Sequence, residues 1–140
     1  MKPYTILVIS RGKASLGRMF QGYLQSIEKD IRVAVASTDF RTIHPLALDV
    51  MMEENIELDQ NITLDYLKYN LYSFDRVIVL GHLSDTVLEK LNGIKFEQFN
   101  MTDPLKANSY NSTLEAYHIA REEIKKICAE IIKSIALAKS

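Results

Sequence analysis

The chain has 140 residues, of which 47% are hydrophobic and 25% are charged, and its formal net charge at pH 7 is −1. This composition is that of an ordinary globular protein, and the length predicts a single domain over residues 1–140. Because the sequence has no basic run, a nucleic acid is not expected as a partner. No apolar run approaches the roughly 20 residues that span a bilayer, so no membrane contact is expected.

Cysteine and histidine usage excludes further classes of protein. Cys128 is the single cysteine, which excludes an intrachain disulfide and a relay between two thiols. The three histidines are scattered along the chain without the spacing of a zinc site, so neither a metal nor a cofactor is predicted. Arg11 and Lys13 interrupt the N-terminal apolar stretch too early for a signal peptide, and we therefore expect a cytoplasmic protein.

The first 24 residues predict a strand, a loop and the start of a helix. Residues 6–9 form an unbroken aliphatic run, which is typical of a strand covered on both faces. The polar loop 10–15 contains Gly12, and apolar side chains then recur with helical spacing at Leu16, Met19, Phe20, Tyr23 and Leu24. A strand followed by such a loop and a helix directs backbone N–H groups toward an anion.

Strands and helices alternate along the rest of the chain. The patterns predict helices over about 16–28, 45–55, 63–72, 84–91 and 112–137, and strands over 32–37, 77–80 and, weakly, 95–99. Pro45 fits the first turn of its helix, and Asn55 is a candidate C-cap because asparagine tolerates the left-handed conformation.

This alternation predicts an α/β fold with three layers, in which helices flank a four-stranded, mostly parallel sheet. Ligands of such sheets bind at the carboxyl ends of the strands. The loops expected there are 10–15, 37–42, 81–84 and 100–111.

Several segments resemble a known family in their order and spacing. They are residues 6–10 leading into Gly12, then Met19, His44-Pro-Leu-Ala47, Val50-Met51, Asn55-Ile-Glu-Leu58, Asp75-Arg-Val-Ile-Val79 and Asp103-Pro104. Nearly end to end, the chain resembles the low-molecular-weight protein tyrosine phosphatases and their thioredoxin-coupled arsenate reductase relatives. The resemblance implies the phosphotyrosine phosphatase I-like fold, with Ser10 at the position of the nucleophile and Asp103 at the position of the general acid.

The family's signature itself is broken in this chain. The signature is Cys-x5-Arg followed by Ser, whereas this chain has Ser10, Leu16 and Gly17 at those positions, and Lys13 where an asparagine is usual. A thiolate forms readily at a helix N-terminus, while a serine hydroxyl needs an adjacent general base. Leu16 cannot supply the planar cationic fork that stabilises charge in the transition state. Arg18 is no substitute, since two residues along a helix turn its side chain by about 200°.

The resulting prediction is a catalytically degenerate relative of these enzymes. We expect it to bind either a phosphate-like or sulfate-like oxyanion or a protein partner, such as a phosphorylated protein, at the loop residues Arg11, Gly12, Lys13, Ala14, Ser15, Leu16 and Gly17. The alternative is an active phosphatase, hydrolysing phosphate monoesters, whose nucleophilic cysteine has been replaced at Ser10. A phosphocarrier subunit of the sugar-transport type is a weaker third reading, because its cysteine is also missing. Arsenate reduction in the relatives uses three cysteines and is not expected here.

Each remaining candidate has a plain structural interpretation. Gly12 serves either an anion or only a tight turn, and Asp103 is either an acid or an Asx-turn residue. His44 is expected to open a helix, and Cys128 to pack in the core. Two further candidates are His82, which follows a strand and is a possible lining residue of the site, and the tyrosines of 66–72, which are expected to form half-buried surface.

Overall fold

Five parallel strands form one sheet in the part of the chain that the structure describes. The computed structural model describes residues 3–11, 15–38, 42–61 and 64–139. The strands are β1 (Tyr4–Ser10), β2 (Ile31–Ser37), β3 (Leu64–Asp65), β4 (Arg76–Leu80) and β5 (Glu97–Phe99). Their spatial order in the sheet is β3-β2-β1-β4-β5. The helices are α1 (Leu16–Ile27), α2 (Pro45–Met52), α3 (Asp85–Lys90) and α4 (Tyr110–Lys139).

The predicted α/β fold, a parallel sheet with helices on both faces, is confirmed. The four predicted strands correspond to β1, β2, β4 and β5, and the two-residue β3 extends the sheet at one edge. β5 is shorter than the predicted strand over 95–99. α4 begins at Tyr110 rather than at Ser112, so it takes up the end of the predicted polar loop 100–111.

β1 is the middle strand of the sheet and is buried on both faces. Ile6 and Val8 belong to the larger core, which also contains side chains of α1, α2 and α4. Leu7 and Ile9 belong to the smaller core on the opposite face, against which α3 packs. Its unbroken aliphatic run is therefore explained by two cores that it separates.

The helix predicted over 63–72 is wrong. This segment contains β3 and two 3-10 turns, Tyr66–Lys68 and Leu71–Ser73, while Thr63 lies outside the described residues. The Asp65 carboxylate accepts the Leu67 N–H at 2.8 Å, and the Asn70 side chain accepts the Tyr72 N–H at 3.1 Å. Such local side-chain hydrogen bonds favour turns over a continuous helix.

The tyrosines of this segment do not form one surface. Tyr66 is buried in the smaller core, whereas Tyr72 is 75% exposed. Tyr69 is intermediate, with its hydroxyl donating to the Val35 carbonyl at 3.4 Å. The expectation of half-buried surface thus fits Tyr69 only.

Charged side chains join the end of α2 to α4. The Glu53 carboxylate accepts the Arg121 guanidinium at 2.8 Å and contacts His118 at 2.9 Å. Hydrogen bonds with His118 and Arg121 lower the pKa of Glu53 from its ordinary value. α2 ends at Met52 and its C-cap is Glu53, so the predicted C-cap at Asn55 is wrong. Asn55 lies two residues further along and does adopt the left-handed conformation, with φ of 60°.

Within the described residues, no helix combines the length and the apolar character needed to cross a membrane.

Candidate functional site

Ser10 ends β1 at the carboxyl edge of the sheet. It pairs in register with Ser37 of β2, and its carbonyl accepts the Thr38 N–H at 3.2 Å. Only 2% of Ser10 is exposed. A Cβ atom built on Gly17 would lie 3.0 Å from the Ser10 hydroxyl oxygen, so this hydroxyl faces the first turn of α1.

Ser15 shapes the entry into α1. It adopts the left-handed conformation, with φ of 64°, immediately before the helix. Its hydroxyl makes no capping bond to α1 and instead accepts the His44 N–H at 2.9 Å. Ser15 therefore ties the start of α1 to the start of α2, and its hydroxyl is already engaged by the protein.

The predicted loop is only partly within the described residues. Gly12, Lys13 and Ala14 lie outside them, so the predictions for these three residues stay predictions. Of the others, Ser15, Leu16 and Gly17 are buried and Arg11 is exposed.

Leu16 has a packing role. It is 5% exposed and belongs to the larger core together with Met19 and Phe20 of the same helix. At the position where the resemblance implies an arginine, this chain has a buried aliphatic side chain without charge.

Arg18 does not replace that arginine. Its guanidinium contacts the Asp59 carboxylate at 3.3 Å and donates to the Asn61 carbonyl at 2.8 Å. It also donates to the Gln21 side chain at 2.9 Å. The side chain is thus committed to residues 59–61, in agreement with the expectation that it points away from the loop.

Asp103 and Arg11 come together beside the loop. The Arg11 guanidinium lies 3.9 Å from the Asp103 carboxylate. The other carboxylate oxygen of Asp103 accepts the Leu105 N–H at 3.0 Å and caps the 3-10 turn Pro104–Lys106. The Asx-turn interpretation of Asp103 therefore applies, and the same residue also lies next to the predicted anion site.

His44 is a helix cap and a partly buried neighbour of the site. Its Nδ1 accepts the Leu46 N–H at 3.1 Å, so the helix-opening interpretation is confirmed. Its ring lies against Tyr117, with 4.9 Å between the centroids. Burial lowers the pKa of His44, and burial together with the charge of Asp103 raises the pKa of the fully buried Tyr117. In both cases burial favours the uncharged form of the side chain.

We predict that His44 makes the protein less stable as the pH falls. The unfolded chain binds a proton at His44 near pH 6.5, while the folded protein binds it only at lower pH. Protonation also abolishes the Nδ1 acceptor for Leu46. The free energy of unfolding should therefore decrease between about pH 7 and 5.

Urea unfolding of a His44→Asn variant across this range tests the point. The asparagine oxygen can keep the cap but cannot titrate, so the pH dependence should become shallower. His82→Asn, which removes one exposed imidazole, is the matched control for the loss of a histidine side chain. An unchanged slope in His44→Asn would contradict this assignment.

His82 lies at a small cavity beside the loop. The cavity has a volume of about 150 Å³, and its lining includes Arg11, Leu16, His82 and Asp103. The sequence predicts that the loops 10–15, 81–84 and 100–111 meet at this edge of the sheet, but it does not predict a cavity between them, because the spacing of residues does not give the distances between separate segments.

Cys128 is confirmed as a core residue. It is fully buried in the larger core, and burial raises the pKa of its thiol to about 12. Within the described residues, no group of three or more histidine, cysteine or acidic side chains is placed to hold a metal ion.

Comparisons with known proteins identify the fold. No family model and no curated protein matches the sequence. Among solved structures, the chain is similar to a low-molecular-weight protein tyrosine phosphatase from Bacillus subtilis, with a TM-score of 0.77, 15% identity and coverage of 97% of this chain and 99% of that chain. An arsenate reductase in its phosphate-binding state has a TM-score of 0.70 and 19% identity, with 91% and 98% covered.

A third similar structure is a Cys-to-Ser variant of the arginine phosphatase YwlE, whose active-site serine is phosphorylated. It has a TM-score of 0.71 and 16% identity, with 94% of this chain and 95% of that chain covered. At these identities the similarity establishes the fold, which is that of the low-molecular-weight phosphatases and arsenate reductases.

Proposed function

We propose that this chain is a catalytically degenerate relative of the low-molecular-weight phosphatases that binds a phosphate-like oxyanion at residues 10–17 without hydrolysing its ester. The observation that carries the proposal is the pairing of a buried Ser10 hydroxyl facing α1 with a Leu16 side chain buried in the core. A helix N-terminus beside Ser10 supports an anion site, while Ser10 and Leu16 stand at the positions where the resemblance implies the two groups needed for turnover.

Oxyanion binding is supported by the backbone around the first turn of α1. The first amides of an α-helix have no intrahelical acceptor, and the helix adds roughly half a positive charge at its N-terminus. Gly17 brings this turn close to Ser10, because it has no side chain to separate them. Arg11 adds a cation at the same edge of the sheet. These features favour an anion without a cysteine or a conserved arginine fork.

The lack of turnover follows from the surroundings of Ser10. A serine nucleophile needs a neighbouring base, and in the part of the chain that the structure describes, no histidine or carboxylate hydrogen-bonds the Ser10 hydroxyl. His44 uses Nδ1 as the cap of α2, and Asp103 is held by Arg11 and the Leu105 N–H. Leu16 leaves the charge of a transition state unmatched.

We propose as the physiological ligand either a free phosphate-like or sulfate-like anion or a phosphorylated protein. Both kinds of ligand present a tetrahedral oxyanion to the loop. The cytoplasmic location, and the absence of nucleic-acid and membrane partners, remain predictions from the sequence.

A second candidate function is phosphate monoester hydrolysis through Ser10. One observation favours it, namely that the Cys-to-Ser variant of YwlE carries phosphate on its active-site serine. A serine in such a site can therefore accept a phosphoryl group in that protein. If Ser10 did so with release of the phosphate afterwards, the chain would be an enzyme.

Turnover of para-nitrophenyl phosphate separates the two candidates. We predict that the wild-type protein hydrolyses this ester no faster than a Ser10→Ala variant. The wild-type protein should also show no phosphorylated Ser10 by mass spectrometry after incubation. Turnover that depends on Ser10, or a phosphoserine that forms and decays, would refute the non-catalytic proposal and establish the second candidate.

A further inference from the structure

The small cavity beside the loop has an apolar interior. Four aliphatic side chains, Leu16, Leu80, Met101 and Leu105, contribute to its lining. Leu16 and Leu80 are buried core residues, and Met101 and Leu105 pack against the same core. These side chains come from three separate elements, so the interior is set by the fold and not by one flexible segment.

The rim of this cavity carries two basic side chains. Arg11 lines it from the loop side, and Lys106 is an exposed residue in its lining. The Asp103 carboxylate also lines it, but it contacts Arg11 at 3.9 Å and accepts the Leu105 N–H. An apolar interior below a rim with more cationic than anionic groups suits a ligand that is apolar at one end and anionic at the other.

We propose that the cavity takes a short aliphatic substituent of the ligand whose oxyanion lies at residues 10–17, so that the chain prefers alkyl phosphates to inorganic phosphate. This inference rests on the proposed oxyanion site. A volume of about 150 Å³ equals that of an engineered apolar cavity that binds benzene, which corresponds to about four to six carbon atoms.

Leu16 links the lack of hydrolysis to the preference for an aliphatic substituent. Its side chain lines the cavity and is also the residue at the position where the resemblance implies an arginine. An arginine at this position would place a charge in the cavity and remove apolar wall. The replacement that removes the means of hydrolysis thus supplies the surface that selects an aliphatic group.

The test compares n-butyl phosphate with inorganic phosphate by calorimetry at matched ionic strength and pH. We expect the wild-type protein to bind butyl phosphate at least about tenfold more tightly, because the butyl group leaves water. In Leu105→Trp the indole should fill the cavity, so that butyl phosphate and inorganic phosphate bind with about equal affinity. Asn108→Trp, which adds the same side chain at an exposed position nearby, should keep the wild-type preference.

Methyl NMR of the wild-type protein gives a second measurement that needs no variant. Butyl phosphate should shift the methyl resonances of Leu16, Leu80 and Leu105 more strongly than inorganic phosphate does. Equal affinities for the two ligands in the wild-type protein would overturn the cavity proposal and leave the oxyanion site intact. A preference that survives in a folded Leu105→Trp would also overturn it, since the alkyl group would then bind elsewhere. Failure of both ligands to bind would overturn the proposed function itself.

Discussion

A variant that combines Ser10→Cys with Leu16→Arg is expected to hydrolyse para-nitrophenyl phosphate at least about 100-fold faster than Ser10→Cys alone. Removing one preorganised donor from a transition state lowers rates by about 100- to 1,000-fold, and restoring a missing one should act in the opposite direction. The two substitutions should be strongly non-additive, because nucleophile and cation act as a unit.

The position of Leu16 favours this result. Leu16 stands in the first turn of α1 and lines the same cavity as Arg11 and Asp103. An arginine there has space to extend through the cavity, with the Asp103 carboxylate as a partner. Since Leu16 is buried, the charge will lower stability, and folding of the variant should be verified by its melting temperature before rates are compared.

Two controls sharpen the experiment. Leu16→Lys in the Ser10→Cys background supplies a point charge without the planar fork, and its gain should be smaller. Thiol titration should detect only the new cysteine, because burial raises the pKa of the Cys128 thiol to about 12. Efficient hydrolysis by Ser10→Cys alone would show that Leu16 does not prevent catalysis.

Gly17→Ala is expected to lower the free energy of unfolding by about 2 kcal/mol, despite the higher helix propensity of alanine. The added Cβ would lie 2.7 Å from Cγ1 of the buried Val35 and 3.0 Å from the Ser10 hydroxyl oxygen. A β-branched side chain in the centre of the sheet cannot move aside easily, so α1 must shift away from β2.

Gly22→Ala is the matched control in the same helix. Its Cβ would meet Cδ2 of Leu58 at 2.5 Å and Cγ2 of Ile56 at 3.1 Å. Both residues lie in the segment after α2, outside the sheet, and Cδ2 is the end of a more flexible side chain. Chemical denaturation should therefore show a smaller loss in Gly22→Ala than in Gly17→Ala. An equal or greater loss in Gly22→Ala would contradict the view that Gly17 sets the distance between α1 and Ser10.

Periodicity predicts the sheet and the two long helices because burial dominates there. β1 and β4 are aliphatic runs that lie between two cores, and α1 shows apolar residues on one face. The segment 63–72 has an equally helical spacing of leucines, yet Asp65 and Asn70 turn the backbone by local hydrogen bonds. The spacing of hydrophobic residues alone does not show that local side-chain hydrogen bonds compete with the helix.

The contacts within the site can be predicted from the sequence only where a single contiguous segment forms them. The strand, loop and helix that bring Gly17 to Ser10 are contiguous, so their arrangement follows from the sequence. The hydrogen bond between Ser15 and His44 and the cavity formed with Met101 and Leu105 join distant segments. The sequence predicts that the loops 10–15 and 100–111 lie at one edge of the sheet, but these individual contacts follow only from the fold.

Binding of inorganic phosphate is the most direct test of a retained oxyanion site. We predict millimolar affinity, since the helix N-terminus remains while the arginine fork is lost. At a concentration of 100 times the dissociation constant, phosphate would stabilise the protein by about 2.7 kcal/mol, or raise its melting temperature by roughly 5–10 °C.

The decisive comparison uses calorimetric titration of phosphate at constant ionic strength into three proteins. Arg11→Gln removes the cation beside the loop, and Arg32→Gln makes the same change of net charge at an exposed position near the start of β2, at the opposite end of the strand from Ser37. We expect the dissociation constant to be at least about threefold higher in Arg11→Gln than in the wild-type protein and unchanged in Arg32→Gln. Equal affinity in all three proteins, or no binding to the wild-type protein, would contradict an oxyanion site at residues 10–17.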